Sequence, residues 1–192
     1  MTGGDALDGI TTELVIAIVA SALIVFAIAF WLKGRSKPSI ESTLKAIAVE
    51  SASDVLIPDG MEGEIHLEYL LLTAKGVLVL DVKRYEGAIF AGDRMNQWTS
   101  IAATGRSTFQ NPLPSLYDRV AAVRQLVRDL DVRGGVLFPS QADFSKGRPA
   151  DVLLPEDLLA IYAKPDKAEL SRIVEAFEPH WERLRSAWRP AD

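Results

Sequence analysis

Three side chains in one long apolar stretch have the types and the spacing that could carry chemistry. Glu68 stands at its start, and Asp81 and Lys83 stand near its end. Residues 73–76 predict a tight turn, and a hairpin with a two-residue or a four-residue loop places Glu68 directly opposite Asp81. Charged side chains are rare in otherwise apolar strands unless they are paired or used. The three residues are therefore the first candidates for a functional site.

Glu68 and Asp81 are suited to binding one divalent cation, Mg²⁺ or Mn²⁺, because directly opposed Cβ atoms on antiparallel strands lie about 4.5–5.5 Å apart. Strand alternation puts Asp81 and Lys83 on the same face. With the metal bound, a water could be activated against a phosphodiester while the Lys83 ammonium stabilises the developing negative charge. The spacing predicts a metal-dependent hydrolytic site.

Other interpretations stay open for the same residues. A three-residue loop with Gly76 in the left-handed conformation would shift the register by one and pair Tyr69 with Asp81. The charges could also form an ion-pair network at the strand ends, which is common and weakly stabilising. His66, which the first register places opposite Lys83, is interpreted as a strand residue satisfied by water.

The elements that position these residues follow from periodicity and turn signals. Apolar residues at helical spacing predict a first helix behind Ser39 as its N-cap and a second helix over residues 114–130. Short apolar runs predict strands over residues 54–57, 136–138 and 152–154, and a hairpin around 89–90 followed by a Ser/Thr/Gly-rich connection to Gly105. Terminal helices carry an aromatic stripe typical of core packing, and Pro179 is predicted to kink or restart them.

Residues 14–32 form an apolar run in which Ser21 is the only polar side chain, long enough to cross a bilayer as a helix. The residues before this run are acidic and those after it are basic, which predicts an external tail (1–13), a single transmembrane helix and a cytoplasmic remainder at the cell membrane. A linker (33–38) and one domain (39–192) follow. A cleaved signal peptide is the competing interpretation, but it would begin with basic residues.

Composition excludes several classes of site. The chain has 21 Lys and Arg against 26 Asp and Glu, a formal net charge of −5, so its bulk charge offers no basic footprint for nucleic acid. With no cysteine and two histidines, it can form neither a disulfide framework nor a thiolate or histidine-rich metal site. Carboxylates must therefore bind any metal.

The segment 68-EYLLLTAKGVLVLDVKRYEG-87, followed by Trp98 and 111-NPL-113, resembles the nuclease-related domain called NERD, a branch of the PD-(D/E)XK nuclease superfamily. The resemblance covers residues 39–162. It implies an α/β fold with a restriction-endonuclease-like core, in which helices flank a central mixed sheet. Membrane-anchored members of the family resemble this arrangement too.

By position, the resemblance implies that Glu68 and Asp81 bind the metal, that Lys83 assists the attacking water, and that Glu41 on the first helix adds a carboxylate. Independently of it, exposed cations could guide nucleic acid through its phosphates: Arg124, Arg128 and Lys146. The expected function is a membrane-tethered nuclease that cleaves DNA or RNA at the cytoplasmic face. The alternative is a catalytically inactive binding module for a nucleic-acid or protein partner, since the two acids have lengths opposite to the family's usual pattern.

Overall fold

The apolar run forms a β-hairpin at the centre of a sheet. In the computed structural model, which describes residues 37–191, its strands are β2 (Glu64–Thr73) and β3 (Gly76–Val82). Their backbone pairs run from Tyr69 opposite Leu80 to Thr73 opposite Gly76, which is the register of a two-residue loop. The predicted register is confirmed over this ladder, and the three-residue loop is wrong.

The turn at Gly76 depends on that residue having no side chain. Gly76 has a φ of +107°, and a Cβ added there would lie 2.3 Å from the backbone oxygen of Asp131. The Thr73 hydroxyl closes the loop, because it donates to the Gly76 oxygen at 2.8 Å and accepts from the Lys75 N–H at 3.1 Å. Both the backbone conformation and the close approach of a neighbouring chain segment therefore require glycine.

The central sheet has six strands in the order β10-β1-β2-β3-β7-β9. Its other strands are β1 (Glu50–Pro58), β7 (Val132–Leu137), β9 (Val152–Leu153) and β10 (Arg189–Pro190). Strands β3, β7 and β9 are parallel to one another, whereas the remaining neighbours are antiparallel. The sheet is mixed, as predicted.

A second sheet of four strands has the order β6-β5-β4-β8. The strands are β4 (Gly87–Phe90), β5 (Gln97–Ala102), β6 (Gly105–Gln110) and β8 (Ala142–Asp143). The prediction of an irregular connection between Trp98 and Gly105 is wrong, because β5 occupies most of it. Trp98 and Ser100, two residues apart, are both buried on the inner side of β5. Because one of the two is a serine, the sequence shows no apolar alternation there.

Among the described residues, four helices flank the central sheet: α1 (Ile40–Ile47), α2 (Leu113–Leu126), α3 (Pro155–Ile161) and α4 (Lys167–Ala187). Helices α2 and α4 pack on one face in a larger core that contains Leu116 and Trp181. Helices α1 and α3 pack on the other face in a smaller core that contains Leu44 and Leu158. This arrangement confirms the predicted α/β fold in which helices flank a central mixed sheet.

The predicted start of α1 is correct, and the predicted end of α2 is wrong. Ser39 caps α1 as predicted, since its Oγ accepts from the Ser42 N–H at 3.1 Å. Helix α2 ends at Leu126, earlier than the predicted residue 130. Helix α4 continues through Pro179 without a restart, because Trp181 and Leu184 anchor its second half in the larger core.

Within residues 37–191, no helix is long and apolar enough to cross a membrane. The predicted external tail (1–13) and transmembrane helix (14–32) lie outside the described residues, as does most of the predicted linker.

Candidate active site

The Asp81 carboxylate lies at the carboxyl end of β3, where it forms a buried ion pair. Its side chain is 4% exposed, and Oδ2 accepts from Nη1 of Arg119 at 2.9 Å. Arg119 projects from α2, and its Nε donates to the backbone oxygen of His66 on β2 at 2.6 Å. One guanidinium therefore connects helix α2 to two adjacent strands.

This pair explains how a carboxylate can be buried next to the larger core. An isolated charge in such a place would cost several kcal/mol, and a guanidinium held by a second hydrogen bond offsets that cost. Arg119 was missed in the sequence. It lies three residues after Leu116 and one before Val120, both buried, so its position at the edge of the apolar face was the available signal.

The Glu68 carboxylate lies against the backbone between the other two candidates. Its Oε2 accepts from the N–H of Val82 at 2.7 Å, and Val82 is the residue that separates Asp81 from Lys83. The backbone pairs between β2 and β3 end at Tyr69 and Leu80, which is two residues before Val82. The Glu68 side chain thus supplies the acceptor where the strand ladder stops.

A local distortion of β2 accompanies this arrangement. Leu67 and Leu70 both pack in the larger core, although regular alternation would put residues three apart on opposite faces. Across from Glu68 on β1 stands Asp54, which has a left-handed φ of +52°, uncommon for a residue other than glycine. The distortion of both strands turns the Glu68 carboxylate towards β3.

The described contacts of the His66 side chain are with β1. It pairs with Leu56 on β1, and its Nε2 lies 3.3 Å from Oδ1 of Asp54. The described ladder between β2 and β3 ends before it reaches His66 and Lys83. The ladder therefore confirms neither the predicted pairing of His66 with Lys83 nor that of Glu68 with Asp81.

Lys83 lines a cleft with Asp81 and Arg119, called the Asp81 cleft below, whose volume is about 320 Å³. Its backbone N–H continues the sheet by donating to the oxygen of Leu137 at 2.9 Å. Its ammonium makes no ion pair or hydrogen bond with any residue in the range 37–191. The cleft therefore combines a compensated acid with an uncompensated, half-buried cation.

An aromatic pair lies in the wall of the same cleft. Tyr85 and Phe109 both line it, and their rings stack with centroids 3.9 Å apart and planes within 6°. Phe109 is held in turn by edge contact with Trp98 in the larger core. Tyr85, two residues after Lys83, is half buried, so part of its ring faces the cleft.

Glu41 lies away from the Asp81 cleft. It is exposed on α1, where it lines a different groove with Lys45 and Tyr69, and its nearest cation is Arg84 at 3.9 Å. In the part of the chain that the structure describes, no three or more acidic or histidine side chains are grouped closely enough to hold a metal. The role implied for Glu41 stays a prediction.

The three cations predicted to guide nucleic acid do not line the Asp81 cleft. Arg128 and Lys146 are exposed. The Arg124 guanidinium donates two hydrogen bonds to the backbone oxygen of Val132, at 2.7 and 3.2 Å, so it contributes to the packing of α2 on β7. Their binding role stays a prediction.

Arg124 also lines a separate groove of about 460 Å³, in which several polar side chains are already paired. The Tyr117 hydroxyl there donates to Oδ2 of Asp151 at 2.8 Å, which raises the pKa of Tyr117 to about 12. Arg133 donates to Asp131 at 2.8 Å. A phosphate in this groove would have to compete with existing bonds.

Two carboxylates are the candidates for a single small metal ion: Asp81, which lines the cleft, and Glu68, which does not. Asp81 Oδ1 and Glu68 Oε1 make no hydrogen bond with any described residue, so each acid has one oxygen available. Mg²⁺ is usually bound by one or two carboxylates, with waters and substrate oxygens completing its octahedron. Arg119 is the competitor, because it neutralises Asp81 without a metal.

Comparison with known proteins places the chain near one family. A family model described as the nuclease-related domain, NERD, matches residues 39–139, more than half of the chain and including the Asp81 cleft. An uncharacterised protein from Bacillus anthracis is 30% identical over 61 residues, which cover 32% of this chain and 29% of that protein. The chain therefore spans less than a third of the length of this relative. No solved structure matches the chain.

Proposed function

The chain belongs to the nuclease-related domain family, and from this premise we propose that it hydrolyses phosphodiester bonds of DNA or RNA at the Asp81 cleft. The observation that carries the proposal is the junction of a buried acid, a second acid and an unpaired ammonium at the end of β3. Asp81, Glu68 and Lys83 are the residues in question. These are the groups that a phosphoryl substrate and a cation would need.

The proposed reaction adds water across one P–O bond and releases a phosphomonoester and an alcohol. Asp81 and Glu68 would hold Mg²⁺ or Mn²⁺, which supplies water activation and neutralises phosphate charge when bound. The Lys83 ammonium is free to contact a phosphate oxygen and to stabilise the charge that develops on it. Arg119 can stabilise the same developing negative charge once its guanidinium no longer pairs with Asp81.

Plasmid nicking by the full chain tests this proposal. We expect nicking that requires Mg²⁺ or Mn²⁺ and that falls about 100-fold in Lys83→Met, because one charge-stabilising group is removed while the aliphatic stem is kept. Lys45→Met is the matched control, since Lys45 lies on α1 outside the cleft. Equal nicking by the wild type, Lys83→Met and Asp81→Asn would reject the proposal.

A catalytically inactive binding module is the second candidate, and the Arg119 ion pair favours it. Asp81 is already neutralised by a guanidinium at 2.9 Å, so the cleft is stable without a metal. Titration calorimetry with Mg²⁺ or Mn²⁺ separates the candidates. Metal binding that Glu68→Ala abolishes supports the nuclease, whereas a chain that binds nucleic acid but neither metal ion supports the module.

We also propose that residues 14–32 anchor the protein in the cell membrane with the carboxyl-terminal domain in the cytoplasm. The support is the apolar run with acids before it and bases after it. We expect the full chain to float with membranes after an alkaline wash. Two arginines within the run, Ile18→Arg with Val25→Arg, should release it, because each charge costs roughly 2.5–3.5 kcal/mol at a span centre.

The control for the anchor is Met61→Arg, which adds the same charge at a residue that is 89% exposed. This variant should float like the wild type. A wild-type chain that remains in the washed supernatant would show that the anchor is wrong.

A further inference from the structure

The Asp81 cleft continues into a second, larger depression along the surface. This Arg94 groove has a volume of about 980 Å³, and its lining includes Arg94, Met95 and Gln97 together with one acid, Asp93. Gln110, Asn111 and Ser115 line both depressions. These residues form a wall common to the two depressions, which together are called the track below.

The wall shared by the two depressions is fixed by hydrogen bonds. The Asn111 amide donates to the backbone oxygens of Asp93 at 3.2 Å and Met95 at 2.9 Å, and its Oδ1 accepts from the Leu113 N–H at 3.0 Å. The Trp98 indole donates to the Gly92 oxygen at 3.1 Å on the other side of the loop. The loop that forms the Arg94 groove is thus tied to the start of α2 and to β5.

The size and shape of the track suit a chain-like ligand. Sites for small molecules are commonly enclosed cavities of roughly 300–1,000 Å³. The Arg94 groove alone reaches the upper end of that range, and the Asp81 cleft extends it further. A polymer that runs through the cleft and beyond it would occupy both.

The chemistry of the track suits a sugar-phosphate chain with exposed bases. Lys83 and Arg94 stand in its two parts, and neither side chain has a hydrogen-bond or ion-pair partner within residues 37–191. Gln97 and Gln110 face each other across β5 and β6 and are exposed on its floor, so they offer both donors and acceptors. The stacked Tyr85 in the cleft wall offers a surface on which a base can stack.

We infer that the track binds a single strand of nucleic acid, with one unpaired nucleotide in the Asp81 cleft next to Tyr85 and the following backbone along Arg94. This inference rests on the proposed function and names its substrate form. The cleft, of about 320 Å³, places the Tyr85 ring beside Lys83, so an unpaired base and its phosphate would meet an aromatic surface and a cation together. An aromatic platform is useful only when the base has left its stack.

Binding without cleavage tests the inference. Fluorescence anisotropy of the full chain in EDTA should show tighter binding of a single strand of about 12 nucleotides than of one of about 3, and weaker binding of the matching duplex. Tyr85→Ala should weaken single-strand binding roughly tenfold through lost stacking, and Tyr85→Phe should restore it. Arg94→Ala should lower the slope of log affinity against log salt by about 0.7, the value for one phosphate contact on a single strand.

Arg106→Ala is the control, because Arg106 is exposed on β6 and does not line the track. Duplex binding as tight as single-strand binding would overturn the inference. So would unchanged binding in both Arg94→Ala and Tyr85→Ala. If no strand binds but a small activated phosphodiester is still hydrolysed with Mg²⁺, the inference fails while the proposed chemistry stands. Single-strand binding with no hydrolysis supports the track and rejects the nuclease.

Discussion

Arg119→Met is expected to lower the free energy of unfolding by about 3 kcal/mol. The substitution leaves the Asp81 carboxylate, which is 4% exposed, without its guanidinium, and breaking a buried pair typically costs about 3–5 kcal/mol. We expect the lower end of that range because the Arg119 side chain is 21% exposed and water can enter the space it leaves. Urea denaturation of both proteins measures the difference.

The matched control is Arg133→Met, which breaks an ion pair of similar length, 2.8 Å, between side chains that are at least half exposed. Exposed pairs contribute about 0–1 kcal/mol, so this variant should unfold close to the wild type. Equal losses in the two variants would contradict the description of Asp81 and Arg119 as a buried, interdependent pair.

Arg119→Met also tests the proposed metal site. With the guanidinium gone, Asp81 and Glu68 should bind Mg²⁺ more tightly, and ligand binding to the folded state raises stability. Mg²⁺ should therefore recover more stability in Arg119→Met than in the wild type. Unfolding curves that do not respond to Mg²⁺ in either protein would count against a metal at this cleft.

Gly76→Ala is expected to destabilise the protein by about 3 kcal/mol or more. The backbone at φ +107° costs a residue with a side chain roughly 1–3 kcal/mol. The new Cβ would also stand 2.3 Å from the backbone oxygen of Asp131, so the hairpin or the segment before β7 must move, at a further cost of about 1–3 kcal/mol. Thermal and urea unfolding should both show the loss.

Gly105→Ala separates these two costs. Gly105 has a φ of +125°, but nothing lies within 4 Å of a Cβ added there. Gly105→Ala should therefore lose only the stability that backbone strain costs, without the steric cost. If the two variants are equally stable, the contact between Gly76 and Asp131 contributes nothing to the requirement for glycine.

The central hairpin could be predicted from sequence because its signals are local. A long apolar run interrupted by a turn at residues 73–76 specifies two strands and limits the register to a few possibilities. The structure selects the register of the two-residue loop, since Gly76 pairs with Thr73. Strand alternation predicts that the side chains of Asp81 and Lys83 lie on the same face. In the structure, both residues line one cleft.

The parts that sequence could not predict depend on distant contacts. Strand β1 begins at Glu50, whereas the prediction began it at residue 54. The earlier residues were missed because they are mostly polar and at most partly buried. The distortion of β2 at Glu68 coincides with the left-handed backbone of Asp54 on the neighbouring strand. The inward turn of Arg119 depends on the helix lying across β2 and β3. No local pattern encodes the first two, and for Arg119 the local signal is its position at the edge of the apolar face of α2.

The Arg119 guanidinium gives the fold and the proposed chemistry a shared component. It joins α2 to Asp81 on β3 and to the backbone of β2, so it contributes to the cohesion of three elements at once. A cation or a phosphate that takes over either partner must loosen that junction. A gain in catalytic activity would then come with a loss of rigidity, because both depend on the Arg119 side chain. The rate of amide hydrogen exchange in α2 would increase when a ligand occupies the cleft.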